Sequence, residues 1–233
     1  ITFMPIRASL PYTLPAAGQQ MTMYLANMAL APIVNGVGRS ASAAYVVVQQ
    51  IYSLNASIYQ NSSKTLSNYA AQCLGQDAPP DVQRGHLRRG LLVGLAQGML
   101  LALPLLALCV IFPERTAALF LRLDDTQATS ALLVTFIRFY LPFILLNLLN
   151  NLFHSLYRGV GAMRLLLIST GIGGLTRIAA SLWLTPRFGM DGFYAGWAIS
   201  WGAEAVFCAV VYFTGSWIPR WLREEKQKKR PVR

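Results

Sequence analysis

Amide and aromatic side chains recur at helical spacing in stretches of this sequence that are otherwise apolar. Gln20, Tyr24 and Asn27 follow steps of four and three. Tyr45, Gln49, Tyr52, Ala56, Tyr59 and Ser63 continue the rhythm, as do Asn147, Asn150, His154 and Tyr157, with Asn151 beside them. Such spacing puts each set on one face of a helix. Amides exchange hydrogen bonds, and aromatic rings offer flat apolar faces that also attract cations. The chemistry on offer is therefore non-covalent recognition of a bulky, partly apolar ligand, with cations among the candidates. Helix-to-helix adhesion, worth about 0.6 kcal/mol per hydrogen bond in a membrane, would need fewer such groups. Three polar faces imply one shared, water-filled cavity, and His154 is the member suited to carrying a proton.

Four ionisable residues, Lys64, Arg138, Arg177 and Glu204, interrupt these apolar stretches. Arg138 and Arg177 lie roughly two turns from the outer ends of their helices and Lys64 near an inner end, so all three can reach headgroups. Glu204 is deeper. An unpaired carboxylate in hydrocarbon is expensive, so an ion pair of Glu204 with Arg177 on the preceding helix is expected. The sequence has no His-Glu-x-x-His, Gly-x-Ser-x-Gly or Walker-type phosphate loop, and no paired in-membrane carboxylates, so no catalytic residues and no enzymatic reaction are assigned. Cys73, Cys109 and Cys208 are far apart and have no ligand-like neighbours, which points to neither a disulfide nor a metal site.

The elements that carry these residues must be membrane helices. Of 233 residues 55% are hydrophobic and 12% charged, which excludes a soluble cytosolic enzyme. Spans are expected at about 11–34, 43–71, 90–112, 131–157, 165–184 and 192–214, forming a six-helix membrane lobe over 1–214, with a basic tail over 215–233. The second span is rich in amides, and its length without Gly or Pro argues for one continuous helix. The net charge of +11 has a topological cause rather than nucleic-acid binding. Arg7, an Arg84/Arg88/Arg89 loop, Arg158, Arg164 and the tail fall on one side, which is then cytoplasmic and holds both ends of the segment. Asp124 and Asp125 fall in an outer loop. The chain opens on Ile1 within a loop-like Ile-Thr-Phe-Met-Pro and is expected to be a piece of a longer protein.

Local motifs then suggest a family. Leu14-Pro15-Ala16-Ala17-Gly18-Gln19-Gln20, Val34-Asn35-Gly36-Val37-Gly38 and Ala43-Ala44-Tyr45 resemble the seventh helix and following turn of the multidrug and toxic compound extrusion (MATE) family. Ala71-Gln72-Cys73-Leu74-Gly75 with Arg88-Arg89-Gly90 resembles its Gly-Gln-x-Leu-Gly segment and basic loop. Tyr157-Arg158-Gly159-Val160-Gly161-Ala162-Met163-Arg164 resembles its Arg-Gly-x-Gly-Asp-Thr-Arg signature. Together these cover essentially the whole chain, in order.

The resemblance implies an all-α integral membrane protein whose six transmembrane helices form the C-terminal lobe of a twelve-helix, two-lobed antiporter. Such a protein sits in the bacterial cytoplasmic membrane and exports bulky, often cationic organic compounds by alternating access, on a proton or sodium gradient. Its partners would be lipid, the N-terminal six-helix lobe and amphipathic substrates, and no cofactor is implied. Where sodium-coupled relatives carry carboxylates, this chain has Met23 and Ala162, so the coupling ion is not expected on carboxylates of this lobe. The Gly159/Gly161 and Gly171/Gly173/Gly174 sets permit close helix approach. Two rival readings are a flippase for lipid-linked oligosaccharides, whose pyrophosphate would call for cavity Arg or Lys where the polar faces are neutral, and a non-transporting scaffold.

Overall fold

The computed structural model describes residues 4–121 and 126–219, and among them there is helix and no strand. Helix α1 (Met4–Val37) absorbs Pro11, Pro15 and Pro32, which membrane helices tolerate. After the break at Gly38 (φ 138°), α2 runs unbroken over Arg39–Gly75, amides included. Helix α3 (Pro80–Ile111) leads into a short α4 (Pro113–Phe120). The fourth long rod starts as α5 (Gln127–Thr135). It widens into a π turn at Phe136–Tyr140, tightens into a 3-10 turn at Leu141–Phe143, and continues as α6 (Ile144–Gly159). Pro142, which has no N–H to donate, sits at this change of pitch.

The last element, α7 (Met163–Thr214), has 52 residues, or about 78 Å of helix, more than twice a bilayer core. It is two arms. Gly189, at φ 59° and ψ −137°, folds one back on the other. A Cβ on Gly196 would lie 2.7 Å from Ser181 Oγ, and one on Gly192 would run into the Leu184 carbonyl, so glycine is what lets the arms touch. The spans expected at 165–184 and 192–214 fall on these arms, giving six long helical segments. Three stretches, Pro80–Ile111, Gln127–Gly159 and Met163–Thr214, are long and apolar enough to cross a membrane. α1 and α2 are as long but diluted by amides, and the chain is a multi-pass membrane protein.

Two local expectations change. Arg84, Arg88 and Arg89 ride on the first turns of α3 rather than in a loop. Pro80 at the first helical position and Asp81 in the first turn start the helix ten residues before the apolar run begins, and Gln83 Nε2 donates to the Gln76 carbonyl at 2.8 Å. Arg138 reaches Glu114 of α4 at 3.4 Å, both side chains more than half exposed. Asp124 and Asp125 lie outside the described residues, as does the basic tail from Arg220 on.

An aromatic spine joins α2, the π turn and the second arm of α7. Tyr45 meets Phe193 (5.4 Å between centroids), Phe136 meets Tyr194 (5.0 Å), and Tyr52 stacks on Trp201 (5.7 Å). Trp197, Trp201, Tyr194 and Phe136 are at most 1% exposed. Burying such rings and pairing them in edge, tilted and stacked contacts fixes these helices against one another, and with them the polar residues one turn away.

Candidate functional site: a polar cavity between α1, α2, α6 and α7

The four helices line a partly open cavity of about 490 Å³. Gln20, Tyr24 and Asn27 reach it from α1, Tyr52 from α2, and Asn147, Asn150 and His154 from α6, so members of all three polar faces converge there. Both arms of α7 close the remaining side, with Arg177 on the first and Trp201 and Glu204 on the second. Three expected lining residues stand elsewhere. Gln49 donates to Tyr45 Oη at 2.7 Å, about one turn before Tyr52 on α2. Tyr59 is buried behind the wall and donates to Asn147 Oδ1 at 2.7 Å. Tyr157 is buried against the last arm and donates to the Cys208 carbonyl at 3.1 Å. A periodic face runs the length of its helix, whereas a cavity occupies only part of it.

Asn147 organises the wall. Its Oδ1 accepts from Tyr59 Oη, from Tyr52 Oη at 3.3 Å and from Asn151 Nδ2 at 2.9 Å. One carbonyl oxygen thus ties α2 to α6, and the two tyrosine rings that flank it are held in place.

The expected Glu204–Arg177 pair is not formed. Glu204 Oε1 lies 3.2 Å from His154 Nε2, and its Oε2 accepts from Asn150 Nδ2 at 3.1 Å, so its partners are on α6. His154 Nε2 is also 2.8 Å from Ser169 Oγ, which donates to the Leu166 carbonyl at 3.2 Å. His154 Nε2 thus sits between Ser169 Oγ and Glu204, and a hydrogen on Nε2 would serve both contacts. A Cβ on Gly173 would come within 3.1 Å of the Glu204 carboxylate, so glycine here gives the acid its room. Arg177 instead donates from Nε to Ser200 Oγ at 3.3 Å and from Nη1 to Asn27 Oδ1 at 3.4 Å. Its guanidinium lies over the rings of Trp197 (4.9 Å) and Trp201 (5.7 Å). The two charges share a cavity but not a bond, because each meets a neutral hydrogen-bonding side chain of a different helix first.

Among the motif positions, Arg158 lines the cavity and donates from Nη2 to Gln19 Oε1 of α1 at 3.0 Å. Gly159 presses α6 against the Ser67 carbonyl and Ala70 of α2, and Gly161, at φ 75°, shapes the turn into α7. Pro15 lies within α1, Gln72 is exposed near the end of α2 and Gly75 ends it, while Arg164 is exposed at the start of α7. Gln19, Gln60, Thr170 and Trp201 also line the cavity and were not anticipated. Trp201, one turn before Glu204 on the same helix, was the one with a readable signal.

A family model, MatE, matches residues 15–183, well over half of the chain. The chain belongs to the MatE family. Two solved structures share the fold. One is a MOP superfamily transporter from Pyrococcus furiosus, with a TM-score of 0.75 and 18% identity. The other is a multidrug resistance MATE family transporter of the MOP superfamily in an outward-facing conformation, with a TM-score of 0.73 and 17% identity. Each match covers 98% of this chain but 49% of the solved one. The MatE chain thus spans about half the length of these transporters and has the fold of one six-helix lobe. No curated protein matches it.

Proposed function

We propose that this chain is the C-terminal lobe of a secondary active antiporter that exports bulky amphipathic organic compounds. It works by alternating access against a second six-helix lobe, driven by a proton or sodium gradient, in a bacterial cytoplasmic membrane with both ends of the segment cytoplasmic. The observation that carries this reading is the cavity: amides, tyrosines and a tryptophan from four helices converge on a space of about 490 Å³, the size class of small-molecule sites. The bend at Gly189 and the glycine contacts supply rigid arms with a defined joint, as a rocking lobe requires. Met23 lines the cavity without a charge and Ala162 precedes α7, which supports placing the coupling ion outside those two positions. The family resemblance implies cationic compounds. The wall itself is not neutral, since it carries Lys64, Arg158 and Arg177 against one carboxylate, Glu204.

The test is accumulation of ethidium and a fluoroquinolone in efflux-deficient cells expressing the native polypeptide. Protonophore addition and sodium replacement form separate arms. Lower accumulation that one of these arms restores is the expected result, and accumulation equal to that of non-expressing cells would count against export.

A further inference from the structure

We infer that the cavity takes an organic acid, its carboxylate held by Arg177 and its apolar body against Trp201 and Tyr52. This rests on the transporter reading and names its substrate class.

Three observations converge. The first is charge: the single carboxylate of the wall, Glu204, is already engaged by His154 and Asn150, with its side chain 9% exposed. The cations of the wall outnumber it three to one. Arg177, Arg158 and Lys64 are held by the neutral oxygens of Asn27 and Ser200, Gln19, and Asn61. Arg177 is half-buried, and neutral partners at 3.3 and 3.4 Å match a guanidinium charge poorly, so its fork has room for a ligand anion.

The second is donor excess. Arg177 lines the cavity and its Nη2 donates to no described residue, which leaves one arm of the fork for a ligand. The third concerns the aromatic faces. A ligand cation would seek the rings of Trp197 and Trp201, but Arg177 already lies over both. The guanidinium fork matches a carboxylate in two parallel hydrogen bonds, which no amide of the wall reproduces.

Arg158 is anchored on Gln19 and Arg177 on Asn27, eight residues or about 12 Å apart along α1, so the two guanidinium groups are separate anchors rather than one clamp on a single carboxylate.

The test uses the native polypeptide in phosphatidylcholine nanodiscs and three probes of one shape: 1-naphthaleneacetate, 1-naphthaleneacetamide and 1-naphthylmethylammonium. Equilibrium binding is measured for each, and transport of the same tritiated probes is followed in proteoliposomes. The acetate is expected to bind about tenfold tighter than the amide. Arg177→Gln should abolish that preference, Arg177→Lys should retain part of it, and Arg138→Gln, far from the cavity, should leave it intact. A preference for the ammonium, equal binding of acid and amide, or an equal loss of all three probes in both Arg177 variants would overturn the inference. So would loss of acetate binding when phosphatidylglycerol is added, which would assign the site to lipid headgroups. Acetate binding without gradient-driven movement of any probe would sink the transporter reading and leave the anion site standing. Transport of the ammonium without acetate binding would do the reverse.

Discussion

At the residue scale, the wall depends on oxygen atoms that serve several donors. Asn147 Oδ1 accepts from two tyrosines and an asparagine, and Tyr59 is 1% exposed. Removing that acceptor leaves a buried hydroxyl without a partner, at a cost of about 1–3 kcal/mol. Asn147→Leu should therefore lower the Tm of the purified protein clearly, and Tyr59→Phe should restore part of the loss in the double variant. Equal Tm values with and without Tyr59→Phe would show that this hydrogen bond contributes nothing. Glu204 makes a second case. Gly173→Ala places a methyl about 3.1 Å from its carboxylate and should destabilise by about 1–3 kcal/mol, unless the acid withdraws toward His154. The same melting measurement reads it, and an unchanged Tm in both Gly173→Ala and Glu204→Gln would mean that the carboxylate has slack.

At the scale of elements, the joint in α7 is the feature with the sharpest consequences. Gly192→Leu sets a side chain against the Leu184 carbonyl, so the two arms must part. The loss should exceed the roughly 1–3 kcal/mol of ordinary overpacking, because backbone rather than a flexible side chain is in the way. Reduced yield of folded, detergent-stable protein by size-exclusion chromatography is expected, whereas Gly171→Ala, which meets nothing, should behave as the parent does. By contrast, the exposed Arg138–Glu114 contact at 3.4 Å should matter little, and Glu114→Gln is expected to shift stability by less than about 1 kcal/mol. The helical rhythm of the polar faces was legible in sequence because hydrocarbon forces amides inward at the period of the helix. The start of α3 was not legible from hydropathy, since Pro80 and Asp81 begin that helix in polar sequence.

At the scale of the whole molecule, the half coverage of both solved transporters bears on assembly. The native polypeptide extracted from its membrane is expected to show an intact mass near twice the 25.7 kDa of this chain. A mass of 25.7 kDa would instead require the other lobe to come from a second subunit, and cross-linking from α1 would then identify it.

Composition, periodicity and local motifs were enough for a helical membrane lobe and its MatE kinship, and they put Gln20, Tyr24, Asn27, Tyr52, Asn147, Asn150 and His154 on polar helix faces that the structure turns toward one cavity. These follow from short-range rules, since the bilayer leaves the backbone few options and a helix repeats its faces every 3.6 residues. Pairing was decided only in three dimensions. Glu204 met His154 instead of Arg177, Arg177 settled between Asn27, Ser200 and two tryptophans, and Tyr59, Tyr157 and Gln49 turned from lining to support. Partners of that kind depend on the rotation and depth of each helix against its neighbours. The bend at Gly189 and packing at Gly196 and the aromatic spine set both, and no single helix encodes them.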